Sequence, residues 1–75
     1  MLRKLRERAG LTLSDVEQRT RVFATRRNDR RFGVPKSRLS EIETNGRTPS
    51  IYCLHSLAGV YRVDIRTLLA FYRLR

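Results

Sequence analysis

Val34-Pro35-Lys36-Ser37-Arg38-Leu39-Ser40-Glu41-Ile42-Glu43-Thr44-Asn45-Gly46 decides how this chain is read. Leu39 and Ile42 lie three apart, so a helix here buries both on one side. Lys36, Ser37, Ser40 and Glu41 then share the wet side. Pro35 disfavours helical geometry at Val34 and is at ease at a helix start. Asn45-Gly46 ends the run, because both residues tolerate the left-handed conformation found at helix stops. The spacing predicts a short helix over about 35–44 whose outer face carries hydrogen-bonding side chains of several kinds.

Upstream, residues 1–9 read as a helix with Leu2 and Leu5 inward, stopped by Gly10. Leu11 enters the core, and Thr12 with Asp15 forms a capping box in which Asp stands for the usual Glu. A second helix follows with Leu13, Val16 and Thr20 in its stripe. Phe23, Ala24 and Arg27 keep the helical spacing, and neither Gly nor Pro intervenes before Gly33, so this helix is expected to reach about residue 27. A loop at Asn28-Asp29 and an extended approach through Phe32 should lead to the next helix. Downstream, Ser50 caps a fourth helix with Ile51, Leu54, Leu57, Ala58 and Tyr61 inward. Asp64 caps a fifth, with Ile65, Leu68, Leu69 and Tyr72 inward. Five helices in one all-α domain spanning 1–75 is the expected architecture.

The chain has 75 residues, enough for one domain with a thin core. Its formal charge is +10, with 17 Lys plus Arg against 7 Asp plus Glu, and only Lys4 and Lys36 are lysines. Such a balance suits a polyanion, and arginine adds forked recognition of phosphate and of guanine edges. A membrane-surface role needs one broad apolar helix face, whereas here the apolar residues are divided among short segments. Cys53 is the sole cysteine, so no intramolecular disulfide forms, which fits a reducing cytoplasm. Met1 leads directly into a charged segment, unlike a signal peptide, and no apolar run approaches bilayer length.

Taken together, Leu2-Arg3-Lys4-Leu5-Arg6, Gly10-Leu11-Thr12, Val16-Glu17-Gln18-Arg19-Thr20, Gly33-Val34, Leu39-Ser40-Glu41-Ile42-Glu43, Asn45-Gly46-Arg47, Pro49-Ser50, Leu54, Leu57-Ala58 and Val63-Asp64 carry a pattern. The chain resembles the Cro and phage-repressor type (XRE-like) helix-turn-helix family over residues 2–20 and 33–72. The resemblance implies a lambda-repressor-like five-helix bundle whose third helix enters the major groove. It implies base contacts by Lys36, Ser37 and Glu41, with Lys36 donating to guanine and Glu41 accepting from cytosine. Arg38 and Ser40 would make backbone or flank contacts, while Thr12 and Arg47 would hold phosphates. It also pairs Glu43 with a basic residue of the first helix, here Arg6.

Two departures from the family stand out. Leu13 occupies a position where the family often has a Gln on the DNA backbone. Arg21 to Phe32 then places twelve residues where the family needs only a tight turn. This basic insertion, 21–32, carries five arginines against Asp29, a net +4. In one reading Arg26, Arg27, Arg30 and Arg31 track phosphates or enter a neighbouring groove. In the other the insertion braces the third helix through Phe23 and Phe32 while its arginines are solvated.

Other chemistry is sparse. Cys53 and His55 point to different sides of a helix, and no second Cys or His completes a zinc site. The sequence carries no Gly-rich phosphate loop, carboxylate pair or serine-nucleophile pattern, so no enzyme, metal, cofactor or small-molecule substrate is expected. Phe71 and Leu74, with Val60, offer surplus apolar surface for a homodimer. The expected function is sequence-specific binding of double-stranded DNA by a bacterial or phage transcriptional regulator in the cytoplasm. The alternatives are a protein-interaction module on the same scaffold, or non-specific nucleic-acid binding through the arginine-rich surface. RNA is disfavoured because no exposed aromatic cluster is evident for stacking bases.

Overall fold

Thr12 starts the longest helix by a reciprocal pair of hydrogen bonds: its hydroxyl accepts the Asp15 N–H, and the Asp15 carboxylate accepts the Thr12 N–H. In the computed structural model, which describes residues 1–73, that helix is the second of five α-helices among the described residues. They are α1 (Leu2–Arg8), α2 (Leu13–Arg27), α3 (Lys36–Thr44), α4 (Ile51–Tyr61) and α5 (Ile65–Arg73). The expected all-α, five-helix architecture with an elongated second helix is the one the chain adopts.

Each boundary has a local cause. Gly10 turns the chain at φ 73°, a conformation costly for residues with a Cβ. Asn28 ends α2 in the left-handed region, where its short polar side chain is tolerated. The Ser50 hydroxyl accepts the Cys53 N–H and caps α4. Arg62 ends α4 at φ 56°, an uncommon place for a long side chain.

The core is one cluster in which α4 is central. Val16 of α2, Leu39 and Ile42 of α3, Leu54 and Leu57 of α4 and Leu68 of α5 are all buried. Helix α4 buries seven of its eleven residues, so it is the post against which the others lean. Cys53 is buried too, and desolvation pushes its thiol up to about 11, far from a reactive thiolate.

Three expectations need correction. The approach to α3 is not extended throughout: Arg30–Phe32 forms a 3₁₀ turn, because the Asp29 carboxylate accepts the Arg31 N–H and caps it. Ile51 is 45% exposed rather than inward, since it lies in the first turn of α4, beyond the reach of the neighbouring helices. Val60 belongs to the core, which removes it from any apolar surface patch. Phe71 is exposed, with its ring edge-on to Tyr72 at 5.0 Å, while Leu74 lies outside the described residues.

Candidate nucleic-acid interface

The position of α3 is set by α2. Thr20 is fully buried, a polar residue in an otherwise apolar stripe, so its hydroxyl needs partners. It donates to the Glu17 carbonyl oxygen at 2.9 Å and accepts the Val34 N–H at 2.9 Å. One turn earlier on α2, the Glu17 carboxylate accepts the Lys36 N–H at 2.9 Å. This carboxylate does what Pro35, which has no capping side chain, cannot: it satisfies a free N–H at the start of α3 and sits at its positive end. The two hydrogen bonds hold α3 at its first turn.

From there Leu39 and Ile42 point into the core and the other face is wet. Lys36, Ser37, Arg38, Ser40 and Glu41 are all exposed on or beside that face. Glu41 also has a partner: the Arg47 guanidinium donates to its carboxylate at 2.8 Å, so two of the expected DNA-contacting residues form one exposed ion pair. At the start of α2 the Thr12 hydroxyl accepts from Asp15, which leaves its own proton available to donate outward.

A second anchor fixes the far end of α3. Arg6 grips Glu43 with two parallel hydrogen bonds, Nε to Oε2 at 2.8 Å and Nη2 to Oε1 at 2.9 Å. Its remaining Nη1 donates to the Leu11 carbonyl oxygen at 2.9 Å. The side chains are only 14% and 5% exposed, so the pair is largely removed from water. Glu43 holds the Arg6 guanidinium above its ordinary pKa, chiefly by that hydrogen bond. The Arg6–Glu43 pairing implied by the family resemblance is present.

Those observations fit a helix-turn-helix, and a family model described as a helix-turn-helix domain matches residues 1–71. The chain belongs to that family. Comparisons with curated proteins and with solved structures find no significant match. This helix-turn-helix domain therefore has a DNA-binding fold, in which residues 21–32 make an excursion between Thr20 and Val34.

The excursion, residues 21–32, leaves and re-enters at the Thr20–Val34 hydrogen bond, so the tight relation of α2 to α3 survives it. Its aromatic residues brace α4 rather than α3. The Phe23 ring lies so close to Gly59 that an added Cβ there would meet Cζ at 2.7 Å. Phe32 meets Tyr52 edge-on at 5.4 Å and His55 at 6.5 Å, and the Ser56 hydroxyl donates to its carbonyl oxygen. Arg27 stacks over Phe32 at 4.8 Å and Arg31 over Tyr52 at 4.1 Å. Two of the insertion's arginines thus have internal work. Arg21 reaches Glu17 at 4.0 Å, whereas Arg26 and Arg30 show no side-chain partner among the described residues. Arg21 and Arg30 flank a hollow of about 300 Å³ beside Val34 and Pro35, at the root of α3.

Asp29 organises the turn that returns the chain. Side-chain hydrogen bonds from Arg31, then its backbone N–H, hold the Asp29 carboxyl down from 3.8 to about 2. The folded value lies below the unfolded one, so this contribution is complete above pH 3.8 and fades as pH falls towards 2. In an acid titration followed by NMR, the Arg31 amide should therefore move with a midpoint near 2. A midpoint at the ordinary aspartate value would mean the pair does not form in solution.

Glu17 and Thr20 were not singled out by sequence reasoning as positioning residues. The available signal was Thr20 itself, since a hydroxyl within an apolar stripe requires a buried partner.

Among the described residues no helix is long and apolar enough to cross a membrane. No group of three His, Cys, Asp or Glu residues among them could hold a metal ion.

Proposed function

We propose that this domain binds double-stranded DNA sequence-specifically, as a bacterial or phage transcriptional regulator acting in the cytoplasm. The observation that carries the reading is the mounting of α3. Its first turn is pinned by Thr20 and Glu17, its far end by Arg6, and its polar face is left open. A rigid helix with Lys36, Ser37 and Ser40 outward suits base edges in the major groove. Apolar or aromatic anchors, which a protein interface there would favour, are missing from that face.

The roles divide by position. Lys36 and Ser37, on the first turn, read bases. Glu41 reads a base through the oxygen that Arg47 leaves free, or releases Arg47 to a phosphate when DNA arrives. Thr12 at the head of α2 and Arg38 and Ser40 on the flanks of α3 hold the backbone. Arg21 and Arg30, beside the root of α3, extend the cationic track along the phosphates. Arg27 and Arg31 act first as braces of the insertion. Phe71 offers a small apolar contact for a second copy on a palindromic site.

Lys36→Ala is expected to relax discrimination at one base pair, a loss of about 1–3 kcal/mol on the preferred site and little on random duplex. Arg47→Ala should weaken all duplexes alike and flatten the dependence of affinity on salt. Selection of sites from a random duplex pool, followed by titrations of both variants, measures this. Equal losses on every sequence from both substitutions would remove base reading from α3. Binding without an enriched motif would reduce the surface to non-specific attachment.

A further inference from the structure

On the side of α2 away from α3 there is a second cationic feature. Glu17, which meets the start of α3, and Arg26 are nine positions apart. At 3.6 residues per turn, nine positions are roughly two and a half turns, so the two side chains leave α2 on opposite flanks. Arg19 and Val22 accompany Arg26. Facing them at the end of α4 are Gly59, Val60 and Arg62, and the two sets enclose a cleft of about 430 Å³.

Three properties of this cleft go together. Arg19, Arg26 and Arg62 rim it, and none of them forms an ion pair among the described residues, although Arg19 lies within electrostatic reach of Asp15. Its lining is mixed, more polar than apolar, and Val22, 49% exposed, supplies an apolar spot among the arginines. Arg62 occupies a left-handed position at φ 56° where glycine would be at ease, so a long cation is kept on the rim against the backbone's preference.

We propose that this cleft docks an acidic peptide segment of a partner protein, with one aliphatic side chain seated on Val22 and carboxylates on the three arginines. Charge complementarity favours such an occupant, and the composition of the chain argues against a second copy. All seven acids are already engaged within the chain. Glu7 meets Arg3, Glu17 meets Lys36 and Arg21, and Glu41 meets Arg47. Glu43 meets Arg6, Asp29 meets Arg31, Asp64 meets Arg66, and Asp15 caps α2. A second molecule therefore brings a net +10 surface on which, among the described residues, every side-chain carboxylate already has a partner. Glu17, which meets α3, and Arg26 lie on opposite flanks of α2, so the cleft is set apart from the reading face of α3. That separation rests on the DNA reading, and adding a duplex distinguishes the two surfaces.

The test is an NMR titration of the isotope-labelled full chain with a short blocked peptide of Glu and Asp residues around a single Leu, at physiological salt. A Leu→Ser version of the peptide and a short DNA duplex are the comparison ligands. Saturable shifts centred on Arg19, Val22, Gly59 and Val60, undiminished when the duplex is added, are expected. Arg26→Glu should weaken the peptide about tenfold, as should Arg62→Gly. The glycine variant relieves the left-handed strain, so its melting temperature should rise while its affinity falls, a combination misfolding cannot produce. Shifts spread over every arginine, equal binding of the Ser peptide, displacement by the duplex, self-association through the cleft, or no binding would each overturn the proposal.

Discussion

Arg6→Ala is expected to remove a large share of the domain's stability. It strands the Glu43 carboxylate, 5% exposed, without its two charge-assisted hydrogen bonds, and it frees the Leu11 carbonyl oxygen. Breaking one partner of a buried pair costs about 3–5 kcal/mol. Small domains hold only about 5–15 kcal/mol in total. At about 4–8 °C per kcal/mol for a chain of this size, the melting temperature should drop by more than about 12 °C. Replacing both members with apolar residues of similar volume, as in Arg6→Met with Glu43→Leu, should recover much of the loss, because no charge is then left buried. Thermal melts of the single and double variants measure the coupling. A single variant melting within a few degrees of the parent would mean that water already solvates the pair.

Thr20→Val has the second largest expected effect. Valine has nearly the shape of threonine, so the core keeps its packing and only the hydroxyl is lost. The Val34 N–H, 2.9 Å from that hydroxyl, would be left buried without an acceptor. An unsatisfied buried donor costs about 1–3 kcal/mol. The variant should also bind DNA more weakly than its unfolded fraction explains, because the root of α3 loses one of its two ties to α2. Denaturant melts, exchange of the Val34 amide and duplex titration well below the melting temperature separate these effects. An unchanged amide exchange rate would show that the hydroxyl does not hold the segment.

Much of this architecture was legible because it is local. The Thr12–Asp15 capping box, the Ser50 cap, the stop at Asn45-Gly46 and the three-residue spacing of Leu39 and Ile42 are rules about neighbours. Arg6–Glu43 is not local, and only the family pattern revealed it. Helical spacing predicts helix up to residue 27, as observed, while the reading in which the insertion braces α3 names the wrong helix, since Phe23 and Phe32 lie against α4. Periodicity says that Phe23 and Phe32 are inward; it does not say which helix receives them. The decisive fact is the gap at Gly59 on α4, which is visible only once both helices are in place. The Asp29 turn was missed for a related reason, since Arg31 selects Asp29 through geometry rather than spacing. The division of the arginines into braces, phosphate candidates and a cleft rim likewise depends on three-dimensional neighbours.

The Thr20–Val34 hydrogen bond has a consequence for how such a domain can change. A chain that departs and returns at one clasp makes a detour whose length does not enter the geometry on either side of it. Lengthening a closed excursion costs little, about 0.6 kcal/mol for each doubling of a flexible loop. The reading head and the detour can therefore drift at separate rates. The detour is free to acquire or shed a surface of its own, provided that its two ends still meet at the same hydroxyl and Phe23 and Phe32 keep their places against α4.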